Sequence, residues 1–139
     1  MLILKIKRSY VSILAVLLCL TSPMVMASDT QMLTGLWKHS GKDLWMEIKF
    51  DQAVGTGRIF KNDKKPDSIG KPVLTRLVFD AALGKGEGMM YVPQMQSRYE
   101  AKIKLPEPNI MTMTVKVGFI SKTVKWLRGD VNTLTNNEM

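Results

Sequence analysis

The side chains that could do chemistry in this chain are few and widely spaced. His39 is the single histidine among 139 residues, and Cys19 is the single cysteine. A Ser-His-Asp relay needs a base that touches both a nucleophile and an orienting acid. It would have to join His39 to Ser40, Ser68, Ser97 or Ser121, and none of these serines lies in a nucleophile turn. The chain after residue 27 has no thiol, so Cys-His catalysis and zinc sites built from several His or Cys are out of reach. Carboxylates recur as Glu47 with Asp51 and as Glu100 with Glu107, the residue type for paired acid and base work. Both pairs fall on predicted exposed faces or turns, where solvated charge is the expectation. Gly84, Gly86 and Gly88 read as a flexible loop, because no helical pattern follows them as a phosphate-cradling loop requires. Met46, Met89, Met90, Met95, Met111 and Met113 offer thioethers that suit Cu(I). Three of them, Met46, Met111 and Met113, stand in alternating apolar rows, where methionine fills irregular gaps. The expectation is therefore a non-enzyme with no catalytic residues, no metal and no cofactor.

The one concentration of charge is Lys61-Asn62-Asp63-Lys64-Lys65-Pro66-Asp67-Ser68, followed by Ile69-Gly70-Lys71-Pro72. A connection this long in a small domain tends to be functional or mobile. Lys61, Lys64 and Lys65 are candidates for meeting an anionic partner. The competing expectation is a solvated hairpin tip whose lysines contact only water, since nothing aromatic or glycine-rich is interleaved with the charge.

The elements that must position these groups begin after a predicted secretory leader. Lys5, Lys7 and Arg8 form a basic start, Val11 to Leu20 an apolar run, Pro23 a break, and Val25-Met26-Ala27 a small-residue exit, the pattern of a cleaved signal peptide over 1–27. The run is shorter than the roughly 20 residues that span a bilayer. Cys19 follows Val16-Leu17-Leu18, without the small residue that lipoprotein processing needs immediately upstream, and reads as filler. Cleavage after Ala27 predicts a periplasmic or secreted protein whose single domain spans 28–139, with no transmembrane span in the mature chain.

The leader holds three of the 20 Lys and Arg and none of the 12 Asp and Glu. The remaining 112 residues therefore carry 17 cations against 12 anions, a net +5. That excess is scattered along the strands, whereas a nucleic-acid surface clusters it on one face, so no nucleic-acid partner is expected. Without a cysteine the domain has no disulfide and must rest on a packed core, for which its length is sufficient.

Period-two patterning runs through most of that domain. Leu44, Met46, Ile48 and Phe50 alternate with Trp45, Glu47 and Lys49. Tyr99, Ala101, Ile103 and Leu105 alternate with Arg98, Glu100, Lys102 and Lys104, and Met111, Met113, Val115, Val117 and Phe119 with Thr112, Thr114 and Lys116. One face of each segment is thus apolar, as half-buried strands require. Turn residues at Ser40–Asp43, Asp51–Ala53, Pro93-Gln94 and Pro106–Asn109 divide them at short intervals. The architecture predicted is all-β, an antiparallel meander of about eight strands closed into a barrel. Gly35-Leu36-Trp37 opens it and Trp126-Leu127-Arg128 closes it. The inward rows nominate Met46, Ile48, Tyr99, Ile103, Met113, Val115 and Phe119 as the lining of any ligand cavity.

Several of these runs, in order, resemble the bacterial domain-of-unknown-function family 2147: Ile69-Gly70-Lys71-Pro72-Val73-Leu74-Thr75-Arg76-Leu77, Gly86 to Gly88 leading into Met90-Tyr91-Val92-Pro93, Tyr99, Lys116-Val117-Gly118-Phe119, and the two tryptophan triplets. The resemblance covers nearly all of the chain after the leader. It implies a secreted or periplasmic lipocalin-like barrel and brings no catalytic residues. In such barrels a first-strand Trp plugs one end beneath a last-strand cation, which implies a structural closure by Gly35, Trp37, Trp126 and Arg128. The chain departs from the family at Val92, where the family has Asp, near Gln96, where it has Gly, in a shorter last hairpin, and in lacking the cysteines many members carry in the 61–72 loop.

Two functions follow as expectations. The first is a non-enzymatic binder of a small apolar or amphiphilic ligand inside the barrel. The alternative is an envelope interaction protein that meets an anionic surface through Lys61–Lys71.

Overall fold

The computed structural model describes residues 29–136; the predicted leader, with Cys19, lies outside the described residues. A 3₁₀ turn at Asp29–Met32 precedes eight strands: β1 (Gly35–His39), β2 (Leu44–Asp51), β3 (Val54–Asn62), β4 (Pro72–Asp80), β5 (Lys85–Val92), β6 (Ser97–Glu107), β7 (Ile110–Val117) and β8 (Ile120–Arg128). Each strand pairs antiparallel with the next, and β8 returns to β1, so the all-β meander is a closed barrel. The closing register sets Trp37 opposite Arg128, Lys38 opposite Leu127 and His39 opposite Trp126. Closure leaves no strand edge to recruit another chain. A short helix, α1 (Val131–Asn136), follows the last strand.

The antiparallel order gives the barrel two unlike ends. Turns 40–43, 93–96 and 118–119 and the 63–71 loop gather at one end, and the 3₁₀ turn, turns 52–53 and 108–109 and the 81–84 loop at the other. The second end is plugged. Leu33 and Trp37 are fully buried there, and the Trp37 indole N–H donates to the Leu33 carbonyl at 2.9 Å. The Arg128 guanidinium lies 4.1 Å from the Trp37 ring centroid. Its nitrogens donate to the carbonyls of Thr34 (2.8 Å), Met32 (2.5 Å) and Pro108 (3.2 Å). One side chain from the last strand thus ties together the entry to β1 and the β6–β7 turn. Gly35 supplies the backbone turn into β1: its φ is +120°, a conformation that side-chain-bearing residues rarely adopt, while a Cβ there would meet Arg128 only at an ordinary 3.5 Å.

Above the plug the lumen is filled by large side chains seated over glycines. Met46, Ile48, Leu74, Leu77, Phe79, Ile103, Met111 and Met113 form one buried cluster with Trp37 and Trp126. Gly55 and Gly57 of β3 accept Phe50 and Met46 at distances a Cβ would violate; at Gly86 of β5 a Cβ would stand 2.7 Å from the Val78 carbonyl and crowd Phe79 at 3.1 Å, and at Gly88 it would crowd Leu74 at 3.0 Å. Glycine in a strand often marks such a close approach. The flexible loop expected over Gly84–Gly88 is accordingly confined to Gly84, the turn residue with φ +61°; Gly86 and Gly88 are buried in β5.

Three further features have physical causes. Trp45, expected on an exposed face, is buried, because the backbone at Gly129 packs against its ring where even a Cβ would not fit. Leu74 and Leu77 are both fully buried although three residues apart. A bulge between Thr75 and Val78, with Arg76 at φ +54°, shifts the phase of β4 and breaks the strict alternation that a regular strand keeps. Pro106, expected in a turn, belongs to β6 but sits where the β6–β7 register is interrupted, between Lys104 and Glu107; its missing amide costs no ladder bond.

Among the described residues all strand pairings and the buried core lie between Leu33 and Arg128, so residues 28–139 alone are expected to unfold in one cooperative urea transition. Two substitutions locate what holds them. Gly86→Ala would press a Cβ to 2.7 Å from the Val78 carbonyl and should cost about 1–3 kcal/mol. Gly41→Ala meets His39 only at ordinary contact distance and should stay within about 0.5 kcal/mol of the parent. Arg128→Lys keeps the charge but loses the planar fork, and a loss of roughly 1–3 kcal/mol in the same measurement is expected.

Candidate functional site

The residues nearer the open end are smaller. Leu44, Val73, Val115, Val117 and Val124 take the place of the tryptophan and phenylalanine rings below, and they leave a cavity of about 950 Å³ that opens between the mouth loops. Its floor includes Ile59 and the Trp126 ring. Its wall is mainly apolar and its size lies within the range of small-molecule pockets.

The rim is cationic. Lys42, Lys64, Lys65, Lys71, Arg98 and Lys122 line it, with Asp43 the only carboxylate in the wall among the described residues. Asp43 is 3.9 Å from Lys61, and among the described residues none of those six cations is paired with a carboxylate. Lys122 occupies the inward row of β8, between Ile120 and Val124 and opposite Val115. Arg98 donates to the Pro72 carbonyl at 3.1 Å and lies over the Tyr91 ring at 5.7 Å, which holds its charge at the rim in a fixed place.

The long polar connection is built into this rim by its own hydrogen bonds. The Asn62 amide donates to the Ser68 hydroxyl (3.0 Å), which donates to the Lys65 carbonyl (2.6 Å), while Gly70 N–H donates to Ile59 (2.8 Å) and Arg58 to the Gly70 carbonyl (3.1 Å). A 3₁₀ turn at Pro66–Ser68 completes the fold of the loop. Lys64 and Lys65 consequently face the mouth. Lys61 does not share that role: it lies in β3, its side chain is only 20% exposed, and it is held between Asp43 and Asp63 (3.7 Å).

The nominated lining divides in the same way. Val115 belongs to the cavity wall. Met46, Ile48, Ile103 and Met113 point inward but are packed into the core beneath. Tyr99, half-buried opposite Met90, is outside the wall. Phe119 is not in the lining at all. Gly118 turns the chain at φ +61°, and Phe119 stands fully exposed at the tip of the β7–β8 turn. What periodicity missed is the rim: Lys122 and Arg98. A lysine in register with Ile120, Val124 and Trp126 was the available signal, an ammonium in an otherwise apolar inward row.

The catalytic candidates are separated or occupied. His39 lies at the mouth, edge-on to Trp126 with ring centroids 5.2 Å apart, and its Nδ1 accepts the Gly41 N–H at 2.9 Å. Burial holds its pKa below the ordinary 6.5, and the positive charges of Lys42 and Lys122 lower it further. Ser68, the one nominated serine in the wall, already uses its hydroxyl as donor and acceptor. Glu47 points away from the lumen to Lys49 at 3.1 Å. Among the described residues no three His, Cys, Asp or Glu converge as metal ligands, and no helix is long and apolar enough to cross a membrane.

The chain matches no protein-family model, no curated protein and no solved structure. None of these comparisons supports the likeness to family 2147 drawn from its motifs; what the structure shows is the architecture alone, an eight-stranded antiparallel β-barrel, closed and plugged at one end.

His39 yields a pH prediction. Its folded pKa is depressed, so the unfolded chain takes up a proton first as pH falls below about 6.5, and stability must fall with it. Above that pH the residue contributes no slope. The urea midpoint of the 28–139 protein should decline across this window, and His39→Gln should flatten the decline.

Proposed function

We propose that this protein is a non-enzymatic binder of a small amphiphile, tail in the mouth cavity and anionic head at its rim. The observation that carries the reading is an apolar cavity of about 950 Å³ beneath six cations that form no ion pair with a carboxylate among the described residues. Water solvates those charges well but leaves the valine-rich wall wet. An apolar chain removes that surface from water at about 25 cal/mol per Å². A carboxylate or phosphate head then meets a positive potential focused by low-dielectric walls. A purely apolar ligand would gain the first term only, and a small anion the second only. Membership of family 2147 and export by the predicted leader are part of the same proposal, which puts the binder in the periplasm or outside the cell.

Fluorescence titration of the 28–139 protein with dodecanoate and dodecanol tests it. Both should bind, dodecanoate more tightly. Lys122→Gln should reduce that preference by about fivefold, the scale of one partly solvated ion pair, and Val115→Trp should abolish both. Bound dodecanoate should also move the His39 pKa, followed by NMR, back toward its ordinary value, because the head group offsets the Lys42 and Lys122 charges. Binding unaffected by Val115→Trp would overturn the reading, as would binding of neither probe. Native mass spectrometry of the protein recovered from its own envelope is expected to show a retained amphiphile.

A further inference from the structure

The open end also carries large apolar side chains that no part of the described chain covers. Ile69 in the β3–β4 loop and Met95 in the β5–β6 turn are each 52% exposed, Ile120 beside the β7–β8 turn is 74% exposed, and Phe119 is fully exposed. They come from three separate connections that the antiparallel order brings to one rim. Lys64, Lys65 and Lys71 stand at the same rim, unpaired with any carboxylate among the described residues.

A single exposed apolar residue needs no explanation. Four around one opening, with lysines between them, present the two attractions that seat a peripheral protein on a bilayer: apolar groups that sink past the head groups, and cations drawn to anionic lipid. A protein partner fits less well, because an interface core is one close-packed apolar patch and these side chains are spread around a cavity mouth. A fluid bilayer can receive each separately. The opposite end exposes Leu83, Val54 and Met32, but its turns mix Asp51, Asp80 and Glu107 with Lys85 and Lys104 and offer no excess of positive charge.

We propose that the barrel docks mouth-down on an anionic membrane surface, with Phe119, Ile120, Ile69 and Met95 entering the head-group layer and Lys64, Lys65 and Lys71 pairing with lipid phosphates. In this orientation the cavity opens onto lipid rather than water.

Flotation of the 28–139 protein with vesicles of equal parts phosphatidylcholine and phosphatidylglycerol tests the proposal. Binding should appear with these vesicles and be absent with phosphatidylcholine alone. Phe119→Ser with Ile120→Ser should weaken it roughly tenfold or more, and Lys64→Gln with Lys65→Gln by about fivefold per lysine. Leu83→Ser, at the far end, should leave it unchanged. A fluorophore on Phe119→Cys should shift to the blue on these vesicles, and one on Leu83→Cys should not. Absence of binding to anionic vesicles overturns the proposal, even if an acidic protein is captured instead; so does binding that the mouth substitutions do not weaken, or that Leu83→Ser weakens equally. The readout needs no cavity ligand: flotation with no dodecanoate binding would leave docking standing and remove the ligand reading, and the reverse result would do the opposite.

Discussion

The fold depends on the seam where β8 meets β1. Seven of the eight pairings join strands adjacent in sequence, through connections of two to nine residues, and cost little loop entropy. The eighth brings together residues some ninety positions apart and has no turn to enforce it. Arg128 supplies the enforcement. Its guanidinium covers the Trp37 ring and donates to carbonyls on both sides of the seam. A cation over an indole contributes about 0.5–2 kcal/mol; here the ring is fully buried while the guanidinium above it stays partly exposed at the end of the barrel. Seam and plug are therefore one interaction: the residue that closes the cylinder also seals its end.

With the end sealed, the lumen is decided by volume. Near the plug, glycines on β3 and β5 make room for Phe50, Met46, Phe79 and Leu74 from the neighbouring strands, and the interior is solid. Toward the mouth the lining is aliphatic, with five valines beside Leu44, Ile59 and Ile120, and the same cylinder is hollow. An eight-stranded barrel can be just filled or hold one small ligand; this one does each in a different half. The hollow half is also where connections and strand ends collect cations, so an apolar wall and a positive rim arise together.

Much of the architecture was legible along the chain. Alternation in β2, β6 and β7 and the turns read at 40–43, 51–53 and 93–94 agree with the strands and connections observed to within a residue or two, because a half-buried strand must alternate and a tight turn needs its own residue types. The misreadings fall where a neighbour in space overrides the local pattern. Glycines that look like a loop are the seats of Phe79 and Leu74. Trp45 looks exposed until the residues after β8 fold over it. Phe119 continues an inward row by count, yet the turn at Gly118 ends that row before reaching it.

By itself the sequence determined an all-β meander of about eight strands, the strand faces that meet the core, and the paired tryptophan triplets at its ends. Those features follow from period and turn chemistry, which act over a few residues. Only the tertiary structure decided where the lumen is full and where it is empty, that Lys122 and Arg98 share a rim with the 63–71 loop, and that Lys61 is held by Asp43 and Asp63. A cavity is the volume left when side chains from distant strands meet, and a rim charge is free or paired according to what closure sets beside it. Neither quantity exists until the eighth pairing is made.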